Sequence, residues 1–257
     1  MFVAGRVSGL ILFCISVVSV LAGLALSRKR PMHMRPIAGL QAVEEAVGRA
    51  TEMGKPIFYS PGYADVAGTT APPTLAGLNL LSHVSRLAAR YSTKLVVTVG
   101  HANTYALTTE IVRNSYLAEG KADEFDIGNI YFTSDVQFAY TAASLGLMQR
   151  EKPATAFLTG YFAAEAIVLA EAAASTQSLT ISGTTNYFQI PFFMAACDYT
   201  MIGEEFLAAG AFISNNADLI GSIAGQDYVK LVAILTLLLG AVLKTMGNDW
   251  VLNLLKK

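Results

Sequence analysis

The hydrophobic positions form an uninterrupted apolar run near each end of the chain, with an alternating pattern between them. The first run, residues 7–26, contains no charged residue. A helix of this length spans roughly 30 Å, which is the thickness of a bilayer's hydrocarbon core. A cleaved signal peptide carries its positive charge before the apolar run, whereas here the basic segment SRKRPMHMR follows it. The pattern therefore favours a membrane helix over a signal peptide.

The second apolar run is shorter and allows two interpretations. The segment LVAILTLLLGAV lies between Lys230 and Lys244 and has no polar face. A helix that is apolar all round is buried in protein or lies in lipid. Lysines at both ends can extend their ammonium groups to the membrane surfaces, which favours the membrane helix over a core helix. The tail after it, with Trp250 and two final lysines, is typical of an interfacial anchor, and a frayed end is the alternative.

Between these runs, short apolar segments alternate with longer segments of helical periodicity. Strands are predicted over residues 56–62, 94–100, 129–134, 154–160, 178–184 and 192–198. Helices are predicted over residues 40–54, 74–91, 103–120, 135–152, 162–175 and 200–213. Ser134 and Gln137 have the spacing of a capping box at the start of one helix.

The alternation of strands and helices decides the fold class. Strands with little apolar–polar alternation are covered on both faces, and strand–helix repeats imply right-handed crossovers in a mainly parallel sheet. The sequence therefore predicts an α/β fold: a Rossmann-like or flavodoxin-like three-layer domain, flanked by N- and C-terminal transmembrane helices.

Five regions follow from this pattern. They are a transmembrane helix over residues 1–27, a basic juxtamembrane linker over 28–36, an α/β domain over 37–226, a second transmembrane helix over 227–246 and an interfacial tail over 247–257. The linker carries more positive charge than the residues before the first run, so the positive-inside rule predicts a cytoplasmic domain in a two-helix, multi-pass protein of the cell membrane.

Composition excludes some classes of protein. The chain is 53% hydrophobic and 14% charged, with a formal net charge of −1. A nucleic-acid partner is not expected, because such a partner requires a basic patch or stripe. Two cysteines, Cys14 in the first apolar run and Cys197 near a predicted strand, do not make a disulfide framework.

Three long segments resemble a known family. VEEAVGRATEMGKPIFYSPG, REKPATAFLTGYFAAEAIVLAEAA and IPFFMAACDYTMIGEEFLAAGAFIS are similar to segments of prokaryotic membrane proteins that carry a domain of unknown function. The resemblance covers residues from about 38 to 245. It implies membrane association and this domain, and it carries over no activity, cofactor or catalytic residue.

The carboxyl ends of the predicted strands are where an open α/β sheet binds ligands. Glycines there permit close approach of a ligand, hydroxyls offer hydrogen bonds and helix N-termini favour anions. The candidate ligand-binding residues are Gly62, Gly100, His101, Ser134, Asp135, Gly160, Gly183, Thr184 and Asp198. Strand-to-helix turns require the same residue types for capping and positive φ, so a purely structural role is the alternative.

Catalysis has weaker support. The chain contains no P-loop, no dinucleotide-binding glycine motif after a strand, no nucleophile-elbow motif and no zinc-protease motif. The weak catalytic candidates are His101, Asp198 and Glu204; no metal ligand set is predicted and no cofactor is identified. Capping is the default role of Asp198, and Glu204 and Glu205 point about 100° apart on a helix.

Four glutamates raise a further question. The pattern does not decide which of Glu165, Glu171, Glu204 and Glu205 is buried, and a buried carboxylate would need a partner.

Two functions remain open. The first is a membrane-anchored binding or assembly module that forms homo-oligomers, with the lipid bilayer and other membrane proteins as further partners. It rests on the two membrane segments, the Ala-rich helices and the small-residue repeats Gly5-xxx-Gly9 and Ser19-xxx-Gly23. The alternative is a sensor or enzyme for a nucleotide or phosphorylated metabolite, with His101 or Asp198 as base. Whether the candidate side chains converge on one pocket discriminates between the two.

Overall fold

The computed structural model describes residues 7–29, 35–214 and 217–247. These residues form two compact units, one within residues 36–213 and the other from the segments on either side of it. Residues 248–257 of the predicted tail, including Trp250, lie outside the described residues. Residues 30–34 of the basic linker also lie outside them.

The unit within residues 36–213 alternates helices and strands along its whole length. Its elements are α2 (Ala38–Met53), β1 (Ile57–Gly62), α3 (Ala71–Arg90), β2 (Leu95–Val99), α4 (Ala102–Ala118), β3 (Ile130–Phe132), α5 (Gln137–Glu151), β4 (Thr155–Tyr161), α6 (Glu165–Ser175), β5 (Leu179–Thr184), α7 (Ile190–Ala196), β6 (Tyr199–Ile202) and α8 (Glu204–Ser214). The prediction of an α/β fold is confirmed.

All pairings in the six-stranded sheet are parallel, and the strand order is β3-β2-β1-β4-β5-β6. This is the order of the doubly wound Rossmann fold. The chain reverses its direction of travel across the sheet between β1 and β4, which makes their carboxyl ends the switch point.

Burial on both faces explains why the strands show so little apolar–polar alternation. Ile57 and Tyr59 of β1 pack in a core with residues of α2, α3 and α4, whereas Phe58 between them packs in a second core with α5, α6 and α7. Every residue of β1 and β2 is buried. Continuous hydrophobic strands are what a parallel sheet covered on both sides requires.

The strand predicted over residues 192–198 is wrong. Residues Ile190–Ala196 form α7, with a proline in its first turn, and the sixth strand begins only at Tyr199. Phe193 is fully buried while Phe192 and Met194 are exposed. A short apolar run has no decisive periodicity, and here the proline, whose fixed φ suits the first turn of a helix, favours the helix.

The capping box predicted from Ser134 and Gln137 does not form. The Ser134 hydroxyl accepts a hydrogen bond from the Val136 N–H at 3.1 Å, in the turn before α5. Val136 rather than Ser134 occupies the position that precedes the helix. The Gln137 side chain is instead directed at the start of α6, where it donates to Glu165.

The second unit contains two long helices, α1 (Val7–Lys29) and α9 (Ala217–Thr245). Both are long and apolar enough to cross a membrane. Helix α9 begins at Ala217 rather than at the predicted residue 227. Arg28 near the end of α1 bonds Asp218 at the start of α9 through Nε and Nη2, at 2.7 and 3.1 Å, so the two helices run antiparallel.

Small residues let α1 and α9 approach closely. A Cβ added to Gly23 would lie 2.3 Å from the carbonyl oxygen of Gly221, and one added to Gly225 would lie 2.6 Å from the Cα of Val20. The Ser19-xxx-Gly23 repeat, predicted to permit close helix contact, packs within the chain against a second small-residue repeat. Gly9 faces open space, and Gly5 lies outside the described residues.

In the α/β unit, α3 lies close to the sheet at one point. A Cβ added to Gly77 would lie 2.2 Å from the carbonyl oxygen of Thr159 in β4. The buried Tyr59 hydroxyl donates to the Gly77 carbonyl at 2.5 Å, which leaves Thr159 to donate its hydroxyl to Tyr59 at 2.5 Å. The bond from Tyr59 to Gly77 holds the helix at a distance from β4 that only glycine permits.

We expect Gly77→Ala to lower the free energy of unfolding by about 2–3 kcal/mol, because α3 must move away from β4 and stretch the bond from the Tyr59 hydroxyl to the Gly77 carbonyl. The matched control is Gly48→Ala in α2, where an added Cβ meets nothing within 4 Å. That change should raise the free energy by up to about 1 kcal/mol through helix propensity. Chemical unfolding of the full chain in detergent measures both, and equal effects would contradict the close approach.

Candidate functional site

At the switch point the backbones of β1 and β4 touch. A Cβ added to Gly62 would lie 1.9 Å from the Tyr161 carbonyl oxygen, and one added to Gly160 would lie 2.0 Å from the Pro61 carbonyl oxygen. Gly62 also has a φ of +86°, which favours glycine. Both glycines were predicted to let a ligand approach, and the atoms that they admit are those of the neighbouring strand.

The other two candidate glycines also face protein atoms. A Cβ on Gly100 would lie 2.6 Å from the Tyr63 carbonyl oxygen, and one on Gly183 would lie 2.6 Å from a ring carbon of Phe206. The absent side chains at the carboxyl ends of β2 and β5 therefore leave room for the fold's own loops and for α8.

Three tyrosines pack above the switch point. The Tyr63 ring centroid lies 6.4 Å from that of Tyr140 and 6.3 Å from that of Tyr161. Tyr140 is fully buried, and Tyr63 and Tyr161 are half-buried. The space in which a Rossmann fold commonly binds a ligand is thus occupied in part by aromatic side chains.

Beneath these rings lies a cluster of buried hydroxyls. The Ser60 hydroxyl bonds the Tyr140 hydroxyl and also accepts from the Gly62 N–H at 3.2 Å. The hydroxyls of Thr98 and Ser144 are buried near this pair. Burial raises the pKa of Tyr140 to about 12, an effect that its bond to Ser60 opposes. The phenol therefore remains protonated at neutral pH and cannot act as a base there.

Glu165, the first residue of α6, is a buried carboxylate with only 1% of its surface exposed. It accepts a hydrogen bond from the Gln137 side-chain amide at 2.5 Å and another from the Ala163 N–H at 3.0 Å. Burial raises the pKa of Glu165, and the two hydrogen bonds oppose that shift. Burial raises the pKa of Tyr63, and the charge on Glu165 raises it further.

Hydrogen bonds join the segments that follow β3, β4 and β5. The Gln137–Glu165 bond connects the first residue of α5 to the first residue of α6. The Asn186 side-chain amide donates to the Phe162 carbonyl at 2.8 Å, which connects the loop after β4 to the loop after β5. Both bonds are partly shielded from water, and they join these segments into a platform at the carboxyl edge.

The platform carries exposed apolar side chains. Phe138 is 73% exposed, Tyr187 is 78% exposed and Phe188 is 83% exposed. Phe132 at the end of β3 and Val136 just before α5 are also more than half exposed. We call Phe132, Val136, Phe138, Tyr187 and Phe188 the carboxyl-edge surface. These residues lie at or after the ends of β3 and β5, and large exposed apolar side chains at one edge of the domain favour an interaction site there.

The remaining candidates at this edge belong to different elements. His101 is half-buried, precedes α4 and makes no capping bond with its side chain. Asp135 is exposed, and the buried Thr184 accepts from the Asn186 N–H at 3.3 Å. Glu204 is exposed at the first position of α8.

Asp198 lies at the opposite edge of the sheet, which corrects its predicted position. It precedes β6 instead of ending a strand, because residues 192–196 are helical. Its carboxylate does not cap a helix: it accepts from the N–H and the hydroxyl of Thr180, at 2.7 and 2.8 Å. Asp198 and Arg49 line a cavity of about 290 Å³ at this amino edge. His101 and Asp198 therefore cannot share one substrate.

Sequence reasoning left the burial of four glutamates undecided and did not single out Tyr140. Glu165 is buried, Glu205 is half-buried, and Glu171 and Glu204 are exposed. The signal for Glu165 was a lone acid in the apolar stretch FAAEAIVLA. Within residues 7–29, 35–214 and 217–247, no group of three His, Cys, Asp or Glu side chains could hold a metal ion.

Glu165→Gln should remove a pH dependence of stability. Burial raises the pKa of Glu165 in the folded state. The contribution of this carboxyl to the free energy of unfolding is therefore complete below the unfolded pKa of about 4.3 and is lost as pH rises through the folded pKa. The glutamine variant should therefore be as stable as the wild type near pH 4 and become more stable than the wild type as pH rises. Thermal unfolding of the full chain in detergent at several pH values measures this difference.

Two controls accompany this experiment. Glu171→Gln changes an exposed acid on the same helix and should leave the profile unchanged. Glu165→Ala removes both acceptors and should be about 1–3 kcal/mol less stable than Glu165→Gln at every pH. A difference between wild type and Glu165→Gln that stays constant with pH would contradict the buried charge.

Comparison with known proteins gives a family match. No curated protein and no solved structure matches the chain. The family described as "Domain of unknown function (DUF6754)" matches residues 1–255, which include both long helices and the whole α/β domain. The chain therefore belongs to the DUF6754 family.

Proposed function

We propose that this protein is a membrane-anchored assembly module that forms homo-oligomers. In this proposal α1 and α9 cross the bilayer as an antiparallel pair and the α/β domain lies in the cytoplasm. The carboxyl-edge surface is the observation that carries the proposal. Three of its rings lie in or beside the segments that the two hydrogen bonds join, and exposed aromatic residues are enriched at protein interfaces.

A second copy of the chain is the partner that suits this surface best. Copies anchored in one membrane share its sidedness. Most homodimers bring the same surface of each copy together about a two-fold axis. Confinement to the membrane also raises the effective concentration of one copy around another.

The alternative, a sensor or enzyme at the strand ends, has less support. Its proposed bases lie at opposite edges of the sheet, since His101 precedes α4 and Asp198 precedes β6. At the switch point, glycines admit the neighbouring strand and tyrosines occupy the space above it. These features favour a contact made by the outer surface over one made within a crevice.

The positive-inside rule supports the proposed sidedness, because Arg28, Lys29 and Arg35 follow the apolar part of α1. We expect Ala118→Cys, an exposed position at the end of α4, to resist an impermeant maleimide in intact cells. Labelling should appear after the membrane is permeabilised. Cys14 and Cys197 are replaced by serine beforehand, and labelling of the introduced thiol in sealed cells would reverse the topology.

The combined change Phe138→Ala, Tyr187→Ala and Phe188→Ala should weaken self-association at least about tenfold, since each exposed ring is lost from a contact. The measurement is light scattering and resonance energy transfer between labelled copies of the full chain in mild detergent. The matched control, Leu107→Ala with Leu117→Ala, removes exposed apolar side chains from α4.

Three outcomes would count against this proposal. A wild-type chain that is monomeric at all concentrations overturns self-association. Equal loss in the control variant overturns the role of the carboxyl-edge surface. Copurification of a different membrane protein in fixed ratio, lost in the triple variant, would replace the second copy by that partner.

A further inference from the structure

A polar cavity of about 290 Å³ lies at the amino edge of the sheet, opposite the carboxyl-edge surface. It forms where the last turn of α2, the turn between α6 and β5 and the residues just before β6 meet. Five of its eight lining residues have polar side chains: Arg49, Gln177, Ser178, Thr180 and Asp198. Sites for drug-sized ligands are about 300–1,000 Å³ in volume and mainly apolar. This cavity therefore suits a small polar molecule better than a nucleotide.

The negative group of the cavity is the carboxylate of Asp198, which is held through one of its two oxygens. Oδ2 accepts from the Thr180 N–H at 2.7 Å and from the Thr180 hydroxyl at 2.8 Å. The same hydroxyl accepts from the Asp198 N–H at 2.9 Å. Thr180 is buried, so these three bonds orient the carboxylate. Oδ1 accepts no hydrogen bond from the residues that the structure describes, and it is available to a ligand.

The positive group of the cavity is the guanidinium of Arg49. Its one hydrogen bond to another described residue runs from Nη2 to the Gln177 carbonyl at 3.5 Å. This distance is longer than that of a strong N–H···O bond. The guanidinium therefore keeps most of its five N–H donors for a ligand.

Arg49 and Asp198 line one cavity but do not neutralise each other. Across residues 7–29, 35–214 and 217–247, neither side chain forms an ion pair. The other polar groups of the cavity have protein partners, because the Ser178 hydroxyl donates to the Pro153 carbonyl and the Thr180 hydroxyl donates to Asp198. The two opposite charges are thus the groups that select a ligand here.

We propose that this cavity binds a small zwitterion of the α-amino acid class. Oδ1 of Asp198 accepts a hydrogen bond from the ammonium group of the ligand, and the Arg49 guanidinium donates to its carboxylate. Both bonds are charge-assisted, which makes them the stronger kind of hydrogen bond. The inference does not rest on the proposed function, since every lining residue belongs to the α/β unit and the cavity is at the edge opposite the carboxyl-edge surface. It adds a ligand-binding role to the domain.

Isothermal titration calorimetry of the full chain in mild detergent tests the ligand class. The amino acids glycine and L-alanine should bind saturably at a single site per chain. Glycinamide lacks the carboxylate and N-acetylglycine lacks the ammonium group, so each should bind at least about tenfold more weakly than glycine. Saturation separates this binding from the general stabilisation of proteins by osmolytes.

Two charge-removing variants test the roles of the residues. Asp198→Asn keeps an oxygen for Thr180 but loses the charge, and it should abolish the preference for glycine over N-acetylglycine. Arg49→Gln should abolish the preference for glycine over glycinamide. Each variant should also bind glycine about ten- to hundredfold more weakly than the wild type. The matched controls are Glu52→Gln and Lys55→Gln, which remove exposed charges outside the cavity and should leave glycine binding unchanged.

Thermal unfolding without ligand shows whether each variant is folded. If the folded wild type binds neither amino acid saturably, the proposal is overturned. If glycine binds no better than its two analogues, or if the controls weaken binding as much as Asp198→Asn and Arg49→Gln do, the roles of the two charges are overturned. Light scattering on the same samples reports self-association separately, so failure of the ligand site and failure of the assembly function are distinguishable.

Discussion

The contact between the backbones of β1 and β4 constrains the rest of the α/β domain. These strands are neighbours in the sheet although two other strands and three α-helices lie between them along the chain, and their ends meet with no side chain between them. Gly77 extends the same constraint to α3, which rests on the Thr159 carbonyl. With the strand ends so close, the switch point has little room for a ligand, and the tyrosines above it complete the packing. The surface around the switch point is then the part of this edge that can bind a partner.

Much of the fold could be predicted from the sequence because its signals were long and mutually consistent. Helices such as α2 had a clear apolar periodicity and a glycine stop, and the left-handed Gly54 does end that helix. The strands were recognisable as doubly covered runs. The strand predicted over residues 192–198 was wrong because a short apolar segment has no decisive periodicity. That error placed Asp198 at the carboxyl edge of the sheet, whereas it lies at the amino edge.

The candidate site was less predictable for a related reason. Glycine is required wherever two backbones approach, and the sequence does not reveal whether the approaching atoms belong to a ligand or to the fold. At Gly62 and Gly160 the approaching atoms belong to the neighbouring strand. The buried Glu165 could be suspected from its apolar neighbours, but its partner Gln137 is 28 residues away and belongs to another helix, so only the tertiary structure reveals the pair.

The pairing of α1 with α9 has a consequence for biosynthesis. The whole α/β domain is inserted between the two halves of one helical hairpin, and Gly23 must wait for Gly221 to be synthesised. At about 5–20 residues per second, that delay is roughly 10–40 s. Throughout this interval the newly made α1 carries an unfilled small-residue groove, while the α/β domain has time to fold before α9 is made. Pairing of α1 with α9 is therefore a late event. Until then the groove of α1 can pack against a helix of another protein.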